Sequence, residues 1–213
     1  MTANQLITRL GPKIAWSAAV ILILVLVVFA AIRTIDTYGG EPQPGLFEAR
    51  YLEHPLVTAV HMLTGLAFVV LAPLQLSRKF RTGNLGLHRG LGRVLVVCAL
   101  LAGIYGMIAT LVLPVFGGVA SEAASWFFGL MFIFCLLRAY WCVRKRKIAQ
   151  HREWMIRSFA LGLGVGTQRL VLALMIAFTD YSMYENFGPA LWLGFAINLV
   201  VAEIWLNHTR GRA

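Results

Sequence analysis

Charged residues are scarce in this chain: they make up 13% of its 213 residues, and only 9 of them are acidic. Average soluble domains carry about 25% charged residues. A water-soluble domain of this size could not cover its surface with so few polar side chains. Because 59% of the residues are hydrophobic and the mean hydropathy is +0.75, the composition excludes a soluble globular protein. It predicts a membrane protein that crosses the bilayer several times.

Cysteine and the common catalytic motifs are also scarce. The three cysteines, Cys98, Cys135 and Cys142, lie inside apolar runs without paired spacing, which predicts packing residues rather than disulfides or a metal motif. The sequence contains no zinc-peptidase His-Glu-x-x-His, no Gly-x-Ser-x-Gly and no glycine-rich phosphate loop. Hydrolytic chemistry is therefore disfavoured, no catalytic residue is predicted, and the sequence leaves open whether the protein is an enzyme.

Long apolar runs, by contrast, are abundant. A membrane-spanning helix needs about 20 mostly apolar residues, and six stretches meet this requirement. We therefore predict an all-α membrane protein with six transmembrane helices, forming one polytopic membrane domain over residues 1–213. The predicted spans are 14–32, 55–76, 94–116, 123–143, 158–178 and 190–206.

Positive charge is distributed unequally among the connections between these spans. Of the 19 Lys and Arg residues, all but four fall on one side of the predicted membrane, two fall on the other side and two lie inside spans. Cytoplasmic loops of membrane proteins accumulate Lys and Arg, so both termini are expected in the cytoplasm. This distribution explains the net charge of +10 without a nucleic-acid partner. The basic inner face is expected to contact anionic lipid head groups.

Ionisable side chains inside predicted spans are costly and therefore informative. Arg169 lies about 16 Å from the inner end of its span. It is expected to be either a structural clamp bonded to Asn198 or a partner for an anion or carbonyl of a ligand. His61 lies about 9 Å below the outer end of the second span, where it is either a buried hydrogen-bonded residue or a metal ligand. Arg138 is expected to reach the inner surface, with Glu203 as its structural partner.

A His-Arg signature occurs twice in the basic connections, each time before an outward-going span. The two copies consist of His88, Arg89 and Arg93, and of His151, Arg152 and Arg157. Spans two to five are therefore predicted to form a four-helix core of two parallel-repeat hairpins, related by an axis along the membrane normal. Such an axis would bring His88 and His151 into facing positions. The alternative is that the two pairs are basic residues typical of inner loops, and that their recurrence is a coincidence.

These motifs resemble an uncharacterised family of bacterial predicted membrane proteins that carries only a domain-of-unknown-function label. The resemblance covers about residues 50–205 and implies a multi-pass protein of the bacterial inner membrane with no established activity. More distantly, the predicted core is similar to transmembrane b-type cytochromes, in which facing histidines hold haem, and this similarity implies electron transfer. The motifs are His61-x-x-x-Gly65 with Gln75 in the same span, His88-Arg89-x-x-Gly92-Arg93 and His151-Arg152-x-Trp154-Met155-Ile156-Arg157.

Three functional hypotheses follow. In the first, His88 and His151 ligate haem b or a transition-metal ion for electron transfer, with a quinone or a redox protein as partner. The cofactor's carboxylates would be held by Arg89, Arg93, Arg152 and Arg157, while His61 and Arg169 would line a separate pocket for the quinone. The second hypothesis is a small carrier or channel with a polar path around His61 and Arg169. The third is an assembly factor for a larger membrane complex.

Overall fold

A computed structural model of the protein describes residues 3–39, 50–113 and 115–210. Within these ranges the chain is almost entirely helical and contains no strands. The turn-rich segment 40–49, which the sequence places outside the membrane, lies beyond the described residues. The helices are α1 (Ala3–Tyr38), α2 (Arg50–Glu53), α3 (Pro55–Leu76), α4 (Arg78–Gly83), α5 (Leu85–Val112), α6 (Gly118–Arg144), α7 (Ile148–Gly162), α8 (Gly164–Phe178) and α9 (Met183–Thr209).

Six helical segments of the described chain are long and apolar enough to cross a membrane, which confirms the predicted fold class. The helices α1, α3, α5, α6 and α9 supply one segment each. The fifth segment, Ile148–Phe178, combines α7 and α8, which are separated only at Leu163. Residues 162–166 contain three glycines, and a local break is common where glycine weakens helix propensity.

Two helices begin well before the apolar residues that predict them. The third span was expected from residue 94, but α5 begins at Leu85, where the side chain of Asn84 accepts a hydrogen bond from the amide of Leu87 at 2.9 Å. The fifth was expected from residue 158, but α7 begins at Ile148. Apolarity locates the part of a helix that suits lipid, whereas capping locates its start. Both His-Arg motifs therefore lie on helices rather than in loops.

The basic connections come together on one side of the bundle. There α4 packs against α3 and α5, and the start of α7 contacts the end of α9 through an ion pair between Glu153 and Arg210 at 3.1 Å. Residues 77–93, 144–157 and 207–210 are termed the basic face. The charge distribution predicts that this face is cytoplasmic.

Helix packing pairs α3 with α5, α6 with α7, and α8 with α9. The α3–α5 and α6–α7 pairs are the predicted hairpins, and they meet through contacts of α5 with α6 and of α3 with α7. A buried apolar core joins them near the basic face, and α1 lies at the periphery against α3 and α8. The outside of the bundle carries exposed apolar side chains that contact the lipid bilayer, including Leu24, Leu63, Leu130 and Val200.

Candidate ligand-binding site

A cavity of about 420 Å³ lies in the half of the bundle away from the basic face. Ligand pockets in proteins typically enclose about 300–1,000 Å³ and are mostly apolar with a few polar groups. The walls of this cavity follow that pattern, because aromatic and aliphatic side chains from all six spanning segments dominate its lining. Five glycines contribute to the space: Gly65, Gly103, Gly106, Gly129 and Gly162.

His61 on α3 is held at the wall of this cavity in one orientation. Its Nδ1 lies 2.8 Å from the backbone oxygen of Ala102 on α5. A carbonyl oxygen only accepts hydrogen bonds, so Nδ1 carries the proton of the neutral ring and Nε2 is an acceptor. The residue lines the cavity, and its side chain keeps accessible surface in the structure.

Gly106 on α5 allows the imidazole of His61 to approach so closely. A Cβ atom at Gly106 would lie 2.9 Å from both Cε1 and Nδ1 of His61. Such a distance is too short for a carbon contact, so any side chain here would displace the ring. The position of His61 therefore depends on the absence of a side chain one helix away.

Gln168 on α8 brings a polar side chain to the cavity without any hydrogen-bond partner in the described protein. The residue is 0% exposed, and neither its Oε1 nor its Nε2 is bonded. Ser121 on α6 is similar, since it is 2% exposed and its Oγ has no partner. Both residues line the cavity. Because buried polar groups in folded proteins are nearly always hydrogen-bonded, an orphaned amide at a cavity wall indicates a site for a polar ligand group.

Asn198, in the same bundle, is a buried amide whose hydrogen bonds are all made within the protein. Its Oδ1 accepts from Oγ1 of Thr167 at 2.8 Å, and its Nδ2 donates to the backbone oxygen of Ala160 at 3.1 Å. The expected bond from Asn198 to Arg169 is therefore wrong. Successive helical residues point about 100° apart, so Thr167 and Arg169 point to different sides of α8, and Thr167 is the residue that meets Asn198.

Two arginines complete the polar part of the cavity lining. The guanidinium carbon of Arg169 lies 5.3 Å from the ring centroid of Phe29 on α1 and 6.0 Å from that of Phe187. The guanidinium carbon of Arg33 lies 4.4 Å from the ring centroid of Tyr51. Cations over aromatic faces are stabilised within an apolar environment. The cavity lining thus brings together His61 and Arg169, two of the candidate site residues, with Gln168 and Ser121.

The histidines of the two His-Arg motifs lie elsewhere, at the basic face. Nδ1 of His151 lies 2.9 Å from the backbone oxygen of Ala139 on α6. Arg81 on α4 interacts electrostatically with both His88 and His151. The structure therefore brings these two histidines into one region, but neither of them lines the cavity.

The arginines of the motifs have different environments. Arg157 forms a two-point ion pair with Glu203 of α9, with Nε–Oε1 at 2.5 Å and Nη2–Oε2 at 3.0 Å. The expected pairing of Glu203 with Arg138 is wrong, because Arg138 instead lies 4.9 Å from the ring centroid of Trp141, three residues along α6. Arg89 and Arg93 are exposed. At the end of α9, the Glu153 carboxylate raises the pKa of the Arg210 guanidinium.

These placements test the expected haem or metal centre. In the described part of the chain, no group of three or more His, Cys, Asp or Glu side chains could hold a metal ion. Of the four arginines expected around a cofactor, Arg89 and Arg93 point to solvent or lipid and Arg157 is committed to Glu203. Haem or metal binding at the basic face thus stays a prediction.

Comparison with known proteins confirms the family that the sequence resembles. The family model described as "Predicted membrane protein (DUF2306)" matches residues 58–206, which is more than half of the chain. No curated protein and no solved structure matches the chain. The matched region contains both His-Arg motifs and most of the cavity lining. The protein is thus a multi-pass membrane protein that belongs to the uncharacterised Predicted membrane protein (DUF2306) family.

Proposed function

We propose that this protein binds an apolar molecule with carbonyl or hydroxyl oxygens, of the quinone class, in the cavity beside His61 and Gln168. The observation that carries the proposal is the side chain of Gln168, which is fully buried, lacks a hydrogen-bond partner and lines the cavity. Leaving a buried amide unbonded costs about 1–3 kcal/mol. A ligand oxygen at this position would recover that cost on binding.

The chemistry of the wall supports a neutral and largely apolar ligand. Phe68, Phe128 and Phe195 supply flat apolar surfaces, which suit the ring of a quinone. Gln168 offers one donor group and one acceptor, Ser121 offers a hydroxyl, and the Nε2 of His61 accepts. A quinone presents two carbonyl oxygens on an apolar ring, and its reduced form presents two hydroxyl groups. The carbonyl oxygens of the oxidised form can accept from the Gln168 amide and the Ser121 hydroxyl, whereas only the hydroxyl groups of the reduced form can donate to Nε2 of His61.

A binding pocket is better supported than the alternative of a carrier or channel. A carrier needs a polar path that continues to the other face of the membrane. Below Phe68, at the bottom of the cavity, the helices close around a buried apolar cluster that includes Leu95, Leu136 and Leu163. Phe68 and Val69 belong both to this cluster and to the cavity lining, so apolar packing adjoins the cavity on that side.

The test is a binding titration of the purified full chain in detergent micelles with decyl-ubiquinone, using decylbenzene as the apolar control. We expect decyl-ubiquinone to bind the natural protein and to bind the Gln168→Leu variant about tenfold more weakly, since one hydrogen bond to a buried amide is lost. Leu163→Met, a volume-conserving change in the apolar core, is the matched control and should bind like the natural protein. Equal binding of decylbenzene, or equal affinity of the Gln168→Leu variant, would contradict the proposal.

Haem or metal binding at the basic face stays a prediction with its own test. His151 supports it, because an Nδ1 proton held by a backbone oxygen leaves Nε2 available as a ligand. Absorption spectra of oxidised and dithionite-reduced protein, with metal analysis of the same sample, decide the question. A Soret band that is lost in His151→Leu would support it, and a protein without a Soret band or stoichiometric metal would end it.

A further inference from the structure

At the basic face, four nitrogen-bearing side chains from three helices converge with little compensating negative charge. Arg81 of α4 interacts electrostatically with His88 of α5 and with His151 and Arg152 of α7. All four are half-buried. The two arginines carry like charges in one partly buried region, where they repel one another and are less well solvated than on an open surface. An anion bound between them would offset this repulsion.

A hydrogen bond holds the side chain of Arg152, and a cap positions the start of the helix that carries Arg81. Nη2 of Arg152 donates to Oγ1 of Thr209 on α9 at 3.2 Å. The side chain of Ser77 accepts from the amide of Phe80 at 3.4 Å and so caps the start of α4, which carries Arg81. The helices α4 and α7 are thus positioned by a cap and by a hydrogen bond to α9.

The acidic residues of this region are engaged by other arginines. Glu153 lies 3.1 Å from Arg210 and 3.7 Å from Arg157, and Glu203 pairs with Arg157. Among the described residues, no carboxylate lies within ion-pair distance of Arg81 or Arg152. The positive charge around His88 is therefore not neutralised by the described protein.

Two buried nitrogen atoms beside the cluster also lack hydrogen-bond partners. They are Nε2 of Gln75, at the end of α3, and Nδ1 of His88. The amide of Gln75 lies against the first turns of α5, since a Cβ atom at Gly92 would be 3.4 Å from its Oε1. An amide NH₂ group only donates, and an imidazole nitrogen donates when protonated. A ligand with several acceptor oxygens would satisfy both atoms and the two arginines together.

We propose that Arg81, Arg152, His88 and Gln75 form a binding site for a phosphate group at the basic face. A phosphate carries the required negative charge and presents several oxygens in different directions, and arginines bind it strongly through charge-assisted hydrogen bonds. The group belongs either to the head group of an anionic phospholipid or to free phosphate. The site is separate from the cavity, because none of these four residues lines the cavity.

The experiment measures the melting temperature of delipidated full-length protein in a nonionic detergent, with native mass spectrometry to count bound molecules. Three additions are compared: phosphatidic acid, diacylglycerol with the same acyl chains, and inorganic phosphate. We expect phosphatidic acid to raise the melting temperature and to remain bound, and diacylglycerol to do neither. If inorganic phosphate reproduces the stabilisation, free phosphate is the ligand. If only the lipid acts, the ligand is a head group.

Variants locate the site. Arg81→Gln should weaken the apparent affinity for phosphatidic acid about tenfold, through loss of one charge-assisted bond. Arg81→Lys should retain most of the affinity, because it keeps the charge. Arg78→Gln removes an exposed charge from the same short helix and is the matched control, with a change of about twofold or less. Stabilisation by neither phosphate compound, or equal losses in Arg78→Gln and Arg81→Gln, would overturn the proposal.

Discussion

Polar side chains differ between two regions of the bundle. One region is the contact between α7 and α9 near the basic face, and the other is the cavity in the other half. In the α7–α9 contact, Arg157 is bound at two points by Glu203. Asn198 of α9 donates to Ala160 of α7 and also accepts from Thr167 of α8. In the cavity, Gln168 and Ser121 are buried and bonded to nothing in the described protein. Polar groups that hold helices together are satisfied within the protein, whereas those at the cavity are available for a ligand.

The two buried amides provide the most direct test of this difference, because replacing each with leucine should change the free energy of unfolding in opposite directions. Asn198→Leu leaves Thr167 and Ala160 without their partner and should destabilise the protein by about 3 kcal/mol. That corresponds to a loss of about 6–12 °C in melting temperature for a chain of this size. Gln168→Leu removes an unbonded amide and should stabilise the ligand-free protein by about 1 kcal/mol. Thermal unfolding of both variants in the same detergent measures the pair, and a loss of stability in both would erase the contrast.

Breaking the ion pair between α7 and α9 should have the next largest effect. Arg157→Ala leaves Glu203 without its two hydrogen bonds and should cost about 2 kcal/mol, or about 4–8 °C in melting temperature. At a temperature where the variant is fully folded, its affinity for decyl-ubiquinone should be unchanged, because Arg157 does not line the cavity. Arg144→Ala, at an exposed position of the same face, is the control. A variant that keeps its stability but loses quinone binding would show that the two regions are coupled.

Adding one methyl group at either of two cavity glycines should show whether the position of His61 matters for ligand binding. In Gly106→Ala the new Cβ would displace the His61 ring from the backbone oxygen of Ala102, at a cost of about 1 kcal/mol. Quinone affinity should fall together with the hydrogen bond. At Gly65 the nearest atom to a new Cβ is 3.7 Å away, which is an ordinary contact, so Gly65→Ala should leave the His61 position intact. Titration and thermal unfolding of both variants check this, and equal affinities would argue against a role for His61.

The exposed end of the α7–α9 contact should contribute least. Glu153→Gln removes the ion pair with Arg210, whose side chain is 53% exposed. Exposed ion pairs contribute about 0–1 kcal/mol and are weakened by salt. We expect a shift of about 2 °C or less in melting temperature, and a smaller one in 0.5 M salt, measured by the same unfolding assay. A larger loss would mean that Glu153 supports Arg157 more than their 3.7 Å separation suggests.

The sequence predicts the number and type of spans because about 20 apolar residues in a row have few other uses in a chain this poor in charge. It also identifies His61 and Arg169 as intramembrane polar residues, and both line the cavity. Helix starts were misplaced at α5 and α7, since capping by side chains such as Asn84 extends a helix beyond its apolar part. Ion-pair partners were misassigned at Glu203 because similar depth in the membrane does not fix which faces of two helices meet.

The sequence alone thus determined that this is a helical protein of the membrane, with its positive charge gathered on one side. Those properties depend on composition and on the spacing of residues along the chain, because each segment partitions between lipid and water according to its own residues. Only the tertiary structure decided that Asn198 is bonded and Gln168 is not. It also decided that Gly106 makes room for His61. Hydrogen bonds and cavities depend on the rotation of each helix against its neighbours, and that rotation is fixed by packing across the bundle.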